Sequence, residues 1–154
     1  MFTSTLITLL LTVLSIVTGI HAVDECGGQS GAATYCTNLT FEDTTDTSGI
    51  TSTNTTQCQA TCMGVNEDAG DWEVMYGTDC SRDLMLGWPC GLWFGPAPGA
   101  SCTKTFDMTN QDVLNILGGA SDRFGDLHGG AFSAQGTATC QGVTTDWYIM
   151  HFDS

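Results

Sequence analysis

The chain has 154 residues, and its 17 Asp and Glu against 3 Lys and Arg give a formal net charge of −14 at pH 7. A chain of this length is expected to form one domain. The charge excludes nucleic-acid binders that neutralise phosphates with clustered Lys and Arg, and it disfavours attraction to anionic lipid surfaces.

The N-terminus carries a long apolar run. Residues 6–20 are almost all apolar and uncharged, and small residues follow them up to Ala22. This pattern predicts a signal peptide over residues 1–22 with cleavage after Ala22, and a buried N-terminal helix is the alternative. Because no second apolar run of membrane length follows, we expect a secreted, extracellular protein that is not anchored in a membrane.

All 8 cysteines follow the predicted signal peptide. An even number of cysteines in an oxidising compartment predicts four disulfides, although the sequence leaves their connectivity open. A zinc site built from Cys58 and Cys62 is the alternative, but it lacks a second Cys or His pair at finger spacing. The predicted disulfide cysteines are Cys26, Cys36, Cys58, Cys62, Cys80, Cys90, Cys102 and Cys140.

Two N-glycosylation sequons fit the same compartment. Asn38 and Asn54 are each followed two positions later by Thr, which is the pattern of an acceptor asparagine in an exposed segment. Residues 40–56 are rich in Ser and Thr, so a sequon can also arise there by chance. We expect a glycan on at least one of the two asparagines.

Residues 23–54 are rich in Gly, Ser and Thr and poor in large apolar side chains. This composition predicts an irregular N-terminal arm, held in place by Cys26 and Cys36 and not by a core of its own. Residues 55–154 carry the periodic patterns of the domain that follows.

The first of these patterns predicts a short helix over residues 55–65, capped at its start by Thr55 or Thr56. Cys58 and Cys62 lie one turn apart on its apolar face, so we expect them to bridge to other elements and not to each other.

Strand patterns follow the helix. Residues 71–76 alternate with a period of two and predict a half-buried strand, and residues 90–94 predict a second. Residues 95–99 hold two Pro and two Gly and predict a turn. Residues 101–107 alternate again, and we expect them to form a hairpin with the preceding strand.

The clearest helix pattern covers residues 110–124, with Thr109 and Asp112 as a capping box. Gly118 and Gly119 imply either a close packing contact or a break. Residues 134–140 and 146–152 predict a final pair of strands. The last strand is apolar on both faces, so we expect it to be central and covered on both sides.

The element order predicts an α+β fold, with an antiparallel sheet of about four to five strands and two helices on one face.

No catalytic site, cofactor site or metal site is predicted. Asp126 and His128 resemble half of a triad, but a Gly-x-Ser-x-Gly motif is lacking, and His151 fits a structural place in the last strand. The acidic group around Asp71 and Glu73, with Trp72 available for sugar stacking, leaves a small glycoside hydrolase as an alternative. The same group does not match a calcium-binding loop.

Tryptophans offer candidate contact residues. Trp72, Trp88, Trp93 and Trp147 are expected mainly in the core. Trp88 and Trp93 flank Pro89 and Cys90, and we expect these two tryptophans to be partly exposed and to contact a partner.

Taken in order, several short segments resemble the fungal putative necrosis-inducing factor domain, a family of homologues of a secreted leaf-mould effector. The resemblance covers nearly the whole chain after the predicted signal peptide and is closest after Trp72. The matching segments are Cys26-Gly27-Gly28, residues 39–45, Gln57-Cys58-Gln59, residues 71–74, residues 90–94, Asn110-Gln111-Asp112-Val113 with Ile116, Arg123-Phe124-Gly125, residues 135–141 and Trp147-Tyr148-Ile149.

This resemblance implies a small secreted, disulfide-stabilised fungal virulence effector over residues 55–154 that provokes or manages host-cell responses. It implies no enzymatic mechanism, and it implies a fold like that of small fungal killer toxins. Four cysteines match those of the family, and the other four look additional. The matching ones are Cys26, Cys58, Cys90 and Cys140, and the additional ones are Cys36, Cys62, Cys80 and Cys102.

We therefore expect a monomeric effector-like protein that binds an extracellular target of a host or a competitor. The alternatives are a killer-toxin-like antimicrobial protein and the small glycan-acting hydrolase.

Overall fold

The computed structural model describes residues 24–46, 51–68, 70–81, 83–86 and 89–151, and the predicted signal peptide lies outside them. No helix within those ranges combines the length and apolar content needed to cross a bilayer. In chain order the elements are β1 (Cys36–Thr37), β2 (Glu42–Asp43), β3 (Thr53–Asn54), α1 (Thr55–Glu67), β4 (Asp71–Met75), β5 (Asp83–Leu86), β6 (Cys90–Pro96), β7 (Thr105–Thr109), α2 (Asn110–Phe124), a 3-10 helix (Asp126–His128), β8 (Ala131–Phe132), β9 (Ala134–Cys140) and β10 (Val143–His151).

An antiparallel sheet forms the centre of the molecule. Its strand order is β1-β9-β10-β6-β5, and β2 also pairs with β9. Two smaller antiparallel pairs, β3 with β8 and β4 with β7, pack around it. The predicted α+β fold with an antiparallel sheet and two helices is confirmed.

The last strand, β10, lies in the middle of this sheet, as predicted. Its inner face buries Thr145, Trp147 and Ile149 in the core. Its outer face carries Tyr148 and Met150, which are only half-buried. The prediction that both faces are covered is therefore wrong for the outer face. A Tyr ring and a Met side chain each tolerate a partly wet surface, so an apolar pattern alone does not separate the two cases.

Helix α1 begins at the predicted residue, Thr55, and ends two residues later than predicted, at Glu67. Asn54 and not Thr55 or Thr56 is its N-cap: the Asn54 Oδ1 accepts from the Gln57 backbone N–H at 2.8 Å, and the Gln57 side chain accepts from the Asn54 N–H at 3.1 Å. The helix passes through Gly64 without ending. Asn54 caps the helix because its side-chain oxygen reaches the third helical N–H while its own backbone stays extended.

Helix α2 has the predicted bounds and the predicted capping box of Thr109 and Asp112. It is unbroken at its two adjacent glycines. A Cβ on Gly118 would lie 3.0 Å from the Cys26 carbonyl oxygen, and one on Gly119 would lie 2.7 Å from the Phe41 ring. The glycines therefore let the helix approach the N-terminal arm closely.

The predicted hairpin between residues 90–94 and 101–107 is wrong. Strand β7 pairs with β4, while β6 pairs with β10 and with β5, a strand that the sequence reading missed. The Phe106 ring packs edge-on against Phe94 and Tyr76, at centroid distances of 6.1 and 6.2 Å. Core contacts of this kind decide the partner strand, whereas alternation only predicts which side chains face inward.

The N-terminal arm contributes to the central sheet. Strands β1 and β2 both pair with β9. The Phe41 ring meets Trp147 edge-on at 5.2 Å, and the Arg123 guanidinium lies 4.1 Å from the Phe41 ring centroid. The arm is thus packed on the core as well as tethered by its cysteines.

All eight cysteines are paired. The disulfides are Cys26–Cys62, Cys36–Cys140, Cys58–Cys90 and Cys80–Cys102. The two cysteines of α1 bridge to the arm and to β6, which confirms the prediction for them and leaves no thiols for the zinc alternative. The cysteines that resemble the family's do not pair only among themselves, because Cys26 and Cys140 each bond to an additional one.

Candidate functional site

The outer face of the central sheet carries two partly exposed aromatic side chains. Trp93 on β6 and Tyr148 on β10 are cross-strand partners, and both are half-buried. The Trp93 indole lies over Gly91, where any added Cβ would collide with the ring. Met150, half-buried as well, stands opposite Gly91. We call Trp93, Tyr148 and Met150 the aromatic strip.

A cleft of about 460 Å³ opens beside this strip, at the edge where the N-terminal arm meets β9. We call it the outer-face cleft. Its lining includes Thr40, Glu42, Pro98, Gln135, Asp146 and Tyr148.

Hydrogen bonds hold the arm wall of the cleft in place. The Gln135 Nε2 donates to the Glu42 Oε2 at 2.8 Å, and the Thr137 backbone N–H donates to the Thr40 hydroxyl at 2.8 Å. Gly136 makes this closure possible, because a Cβ there would collide with the Thr40 carbonyl oxygen and with the Trp147 ring. The cleft is therefore a preformed feature of the sheet.

The charges at the outer-face cleft are negative. Glu42 comes from β2 and Asp146 from β10, and β9 runs between these two strands. None of the described residues that line the cleft is Lys, Arg or His. The lining therefore combines two acidic side chains with the aromatic side chain of Tyr148.

Of the two tryptophans predicted to contact a partner, Trp93 lies on the aromatic strip, and Trp88 lies outside the described residues. The other two have structural places. Trp147 is fully buried. Trp72 donates from its indole N–H to the Asn110 Oδ1 at 2.6 Å. This hydrogen bond joins β4 to the first residue of α2.

The acidic residues of the hydrolase alternative lie on the exposed side of β4. Asp71 and Glu73 are both exposed, and the Tyr35 hydroxyl donates to the Asp71 carboxylate at 3.1 Å. This hydrogen bond, together with the carboxylate's charge, raises the pKa of the Tyr35 hydroxyl. A small cleft of about 210 Å³ includes Asp71 among its lining residues but not Glu73. Among the described residues, no cluster of His, Cys, Asp and Glu suited to a metal ion is found.

The two histidines considered for catalysis make contacts between elements. His128 Nε2 lies 2.6 Å from the Asp43 carboxylate and not at its sequence neighbour Asp126. Burial tends to raise the pKa of the Asp43 carboxyl, but hydrogen bonds from His128 and Thr45 outweigh it and hold that pKa below its usual range. His151 Nδ1 lies 3.5 Å from the Gln57 side-chain nitrogen.

The two sequon asparagines differ in their surroundings. Asn38 is exposed and adopts a left-handed backbone conformation with φ of 53°, which Asn tolerates better than most residues. Asn54 is half-buried, and its side-chain oxygen caps α1. Glycosylation of either residue stays a prediction.

The sequence reading missed the outer-face cleft. Period-two alternation does place Asp146 with Tyr148, and Gln135 with Thr137, on single strand faces. What no local pattern reveals is that β2 would dock against β9 and bring Glu42 to the same place.

One comparison with known proteins identifies a family for this chain. A family model described as Hce2, "Pathogen effector; putative necrosis-inducing factor", matches residues 35–140, which is more than half of the chain. The matched range holds both partners of three disulfides and the wall of the cleft contributed by the arm. A comparison with curated proteins found no match. The chain therefore belongs to the Hce2 family of pathogen effectors.

Proposed function

We propose that this protein is a secreted fungal effector that acts by binding an extracellular host target through the aromatic strip and the outer-face cleft. The observation that carries the proposal is the pair of half-buried aromatics, Trp93 and Tyr148, on the outer face of the central strands beside a preformed cleft.

Aromatic side chains placed in this way are typical of binding surfaces. Tyr and Trp are enriched at the centres of protein interfaces, where they supply a large contact area at a low cost in conformational entropy. The disulfides Cys36–Cys140 and Cys58–Cys90 join the sheet to the arm and to α1. A surface held rigid before binding loses less entropy when a partner docks.

Secretion is supported by the cysteines and by the N-terminal sequence. Four disulfides persist in an oxidising compartment and are rare in the cytosol, and the apolar residues 6–20 have the length of a signal-peptide core. The exposed Asn38 is then available for a glycan.

A competition experiment tests the binding surface. Labelled oxidised protein is added to host cells, and unlabelled variants compete for saturable binding. We expect wild-type protein and Leu127→Ser to compete equally, because Leu127 is 68% exposed on the 3-10 helix and lines neither the strip nor the cleft. We expect Tyr148→Ala and Trp93→Ala to compete at least about tenfold more weakly, the effect of losing one interface hot spot.

Two outcomes would overturn the proposal. The first is a lack of saturable binding to cells from several hosts. The second is full competition by both aromatic variants, provided that circular dichroism shows each variant to be folded.

The same preparation addresses the alternatives. Growth inhibition of other microbes would favour the killer-toxin-like function. The chain has only 3 Lys and Arg, so membrane disruption is a disfavoured means of such inhibition. Release of reducing sugar that Asp71→Asn abolishes would favour a hydrolase, since Asp71 borders the small cleft beside Trp72.

A further inference from the structure

We propose that the Cys80–Cys102 disulfide is a thiol-exchange site, which low-molecular-weight thiols open while the other three disulfides stay intact. Opening this bridge frees the loop of residues 97–104, which supplies part of the wall of the outer-face cleft. The effect on target binding rests on the proposed function, whereas the exchange chemistry does not.

The four disulfides differ in their exposure. The six cysteines of the other three bridges are all buried, and the most exposed of them, Cys36, has only 7% of its surface accessible. Cys80 is exposed and Cys102 is half-buried. Because exchange begins when a thiolate attacks a disulfide sulfur, its rate depends on access to that sulfur. The Cys80–Cys102 bridge is therefore the one that an external thiol can reach in the folded protein.

The backbone of Cys80 gives a second reason. Its φ is 63°, which lies in the left-handed region, and residues other than Gly, Asn and Asp seldom adopt that conformation. Cys80 holds it in a tight turn, in which its backbone N–H donates to the Gly77 carbonyl at 2.8 Å. Opening the bridge removes a constraint on this strained residue, and a bridge whose opening relieves strain is the easier to reduce.

The bridge also closes the shortest loop of the four. Its cysteines are 22 positions apart, against 32, 36 and 104 for the other pairs. A bridge over a shorter loop restricts the unfolded chain less, so its loss costs the fold less. Cys80 and Cys102 also lie outside the hydrophobic core that contains the other six cysteines. We therefore expect the protein to stay folded when this bridge is open.

The exchange takes two steps. A thiolate attacks the Sγ of Cys80, the more exposed residue: a new sulfur–sulfur bond forms, the bond between the two cysteines breaks, and Cys102 leaves as a thiolate that takes up a proton. A second thiolate attacks the sulfur of the first thiol, which releases a small disulfide and leaves Cys80 as a thiol. Two thiols are thus oxidised to one disulfide while the protein bridge is reduced to two thiols.

The bridge ties two loops together. Cys80 lies in the loop between β4 and β5, and Cys102 lies in the loop of residues 97–104 between β6 and β7. This second loop carries Pro98, which lines the outer-face cleft together with Tyr148. The bridge is therefore a covalent anchor for the loop that brings Pro98 to the cleft.

Hydrogen bonds within the second loop are local. The Ala100 N–H donates to the Ala97 carbonyl at 2.8 Å, and the Ser101 and Thr103 hydroxyls lie 2.9 Å apart. Bonds of this kind shape the loop but do not tie it to a neighbouring element. Once the bridge is open, the loop must be ordered again when a partner docks, which weakens binding.

Stepwise reduction of the secreted, oxidised protein tests the exchange site. The protein is incubated with increasing concentrations of reduced glutathione, free thiols are blocked with iodoacetamide, and peptide mass mapping identifies the labelled cysteines. We expect Cys80 and Cys102 to be labelled at least about tenfold faster than the six buried cysteines, because access limits exchange. A different bridge that opens first, or four bridges that open together, would overturn the proposal.

Hydrogen–deuterium exchange tests the effect on the loop. After selective reduction, the amides of residues 97–104 should exchange at least about threefold faster, whereas those of β9 and β10 should keep their protection. The double variant Cys80→Ser/Cys102→Ser should show the same change without glutathione. Lys104→Gln, which keeps the bridge in the same loop, should match wild type. Unchanged exchange over residues 97–104 in the reduced protein would show that the bridge does not hold this loop.

The competition experiment with host cells measures the consequence for binding. The double serine variant should compete at least about threefold more weakly than wild type, because its freed loop must be ordered on binding, and Lys104→Gln should compete fully. Full competition by the double variant would overturn the link between the bridge and the cleft. The glutathione mapping uses wild-type protein, so it decides the exchange site even if the double variant fails to fold.

The proposed function fails separately. If Tyr148→Ala competes fully while glutathione opens Cys80–Cys102 first, the binding surface is wrong and the exchange site stands.

Discussion

At the scale of single residues, Asn54 combines two roles that its sequence motif does not distinguish. The asparagine begins a sequon, but in the folded protein its side chain caps α1 through the Gln57 backbone N–H at 2.8 Å. The asparagine of the other sequon, Asn38, is exposed and caps no helix. A sequon asparagine directly before a helix can thus look like a glycosylation site although its side chain serves as the helix cap.

The cap predicts a specific pattern of stability. Asn54→Ala should lower the free energy of unfolding by about 1 kcal/mol, whereas Asn54→Asp should cost far less, because Asp is as good an N-cap as Asn. Urea denaturation of protein from a host that adds no glycans measures both. Equal losses for Ala and Asp would show that the cap is not what stabilises this end of α1.

A second residue-scale prediction concerns Asp43 and His128. Because the pKa of the Asp43 carboxyl is held below its ordinary value of 3.8, the ionised carboxylate is stabilised in the folded state. Its contribution is present at neutral pH and is lost as the pH falls below about 3.8, through the lowered pKa.

Asp43→Ala should therefore destabilise the protein by a few tenths to about 1 kcal/mol at neutral pH, the range of partly exposed ion pairs. The difference from wild type should shrink towards pH 2. Urea midpoints across the acid range check this, with Asp126→Ala in the exposed 3-10 helix as the control. A difference that stays constant or grows as the pH falls would contradict the account.

At the scale of elements, the sequence predicts what is locally encoded. Helix α2 was predicted with its observed bounds because the cap of Thr109 and Asp112 and the apolar stripe are contained in one segment. The partner of β7 was predicted wrongly, because alternation marks a buried face but carries no information on which strand lies beside it. The same limit hid the docking of β1 and β2 on β9.

Asp112 shows how a local signal acquires a distant role. Besides its cap contacts, its buried carboxylate accepts from the backbone N–H groups of Tyr35 and Cys36, at 2.9 and 3.1 Å. The cap can be predicted from the sequence, because Thr109 and Asp112 are close in the chain. The hydrogen bonds to the N-terminal arm cannot, since Cys36 and Tyr35 are 76 and 77 positions away from Asp112.

This arrangement predicts that Asp112→Ala destabilises the protein by about 3 kcal/mol, because it removes charge-assisted hydrogen bonds and leaves buried amides without an acceptor. Asp122→Ala, at an exposed position of the same helix, should change the free energy of unfolding by less than about 0.5 kcal/mol. Urea denaturation compares them. A loss at Asp112 as small as that at Asp122 would mean that the arm is held by its disulfides alone.

At the scale of the whole molecule, the composition and the cysteines indicate a secreted, disulfide-stabilised domain, and the predicted α+β fold class is correct. The candidate site was predicted only in part. The sequence predicts Trp93 as a contact residue, but it places Tyr148 on a covered strand face and Glu42 in an irregular arm. The cleft exists only after β2, β9 and β10 assemble, so no single segment of the sequence encodes it.

The central claim is that the outer face of the sheet carries the activity. The most direct measurement is the dose of infiltrated protein that gives half-maximal cell death in a responsive host leaf, compared for wild type, Tyr148→Ala and Leu127→Ser. We predict that Tyr148→Ala needs at least about a tenfold higher dose, the loss expected for a hot-spot aromatic, while Leu127→Ser matches wild type. A folded Tyr148→Ala variant with the wild-type dose response would contradict the claim.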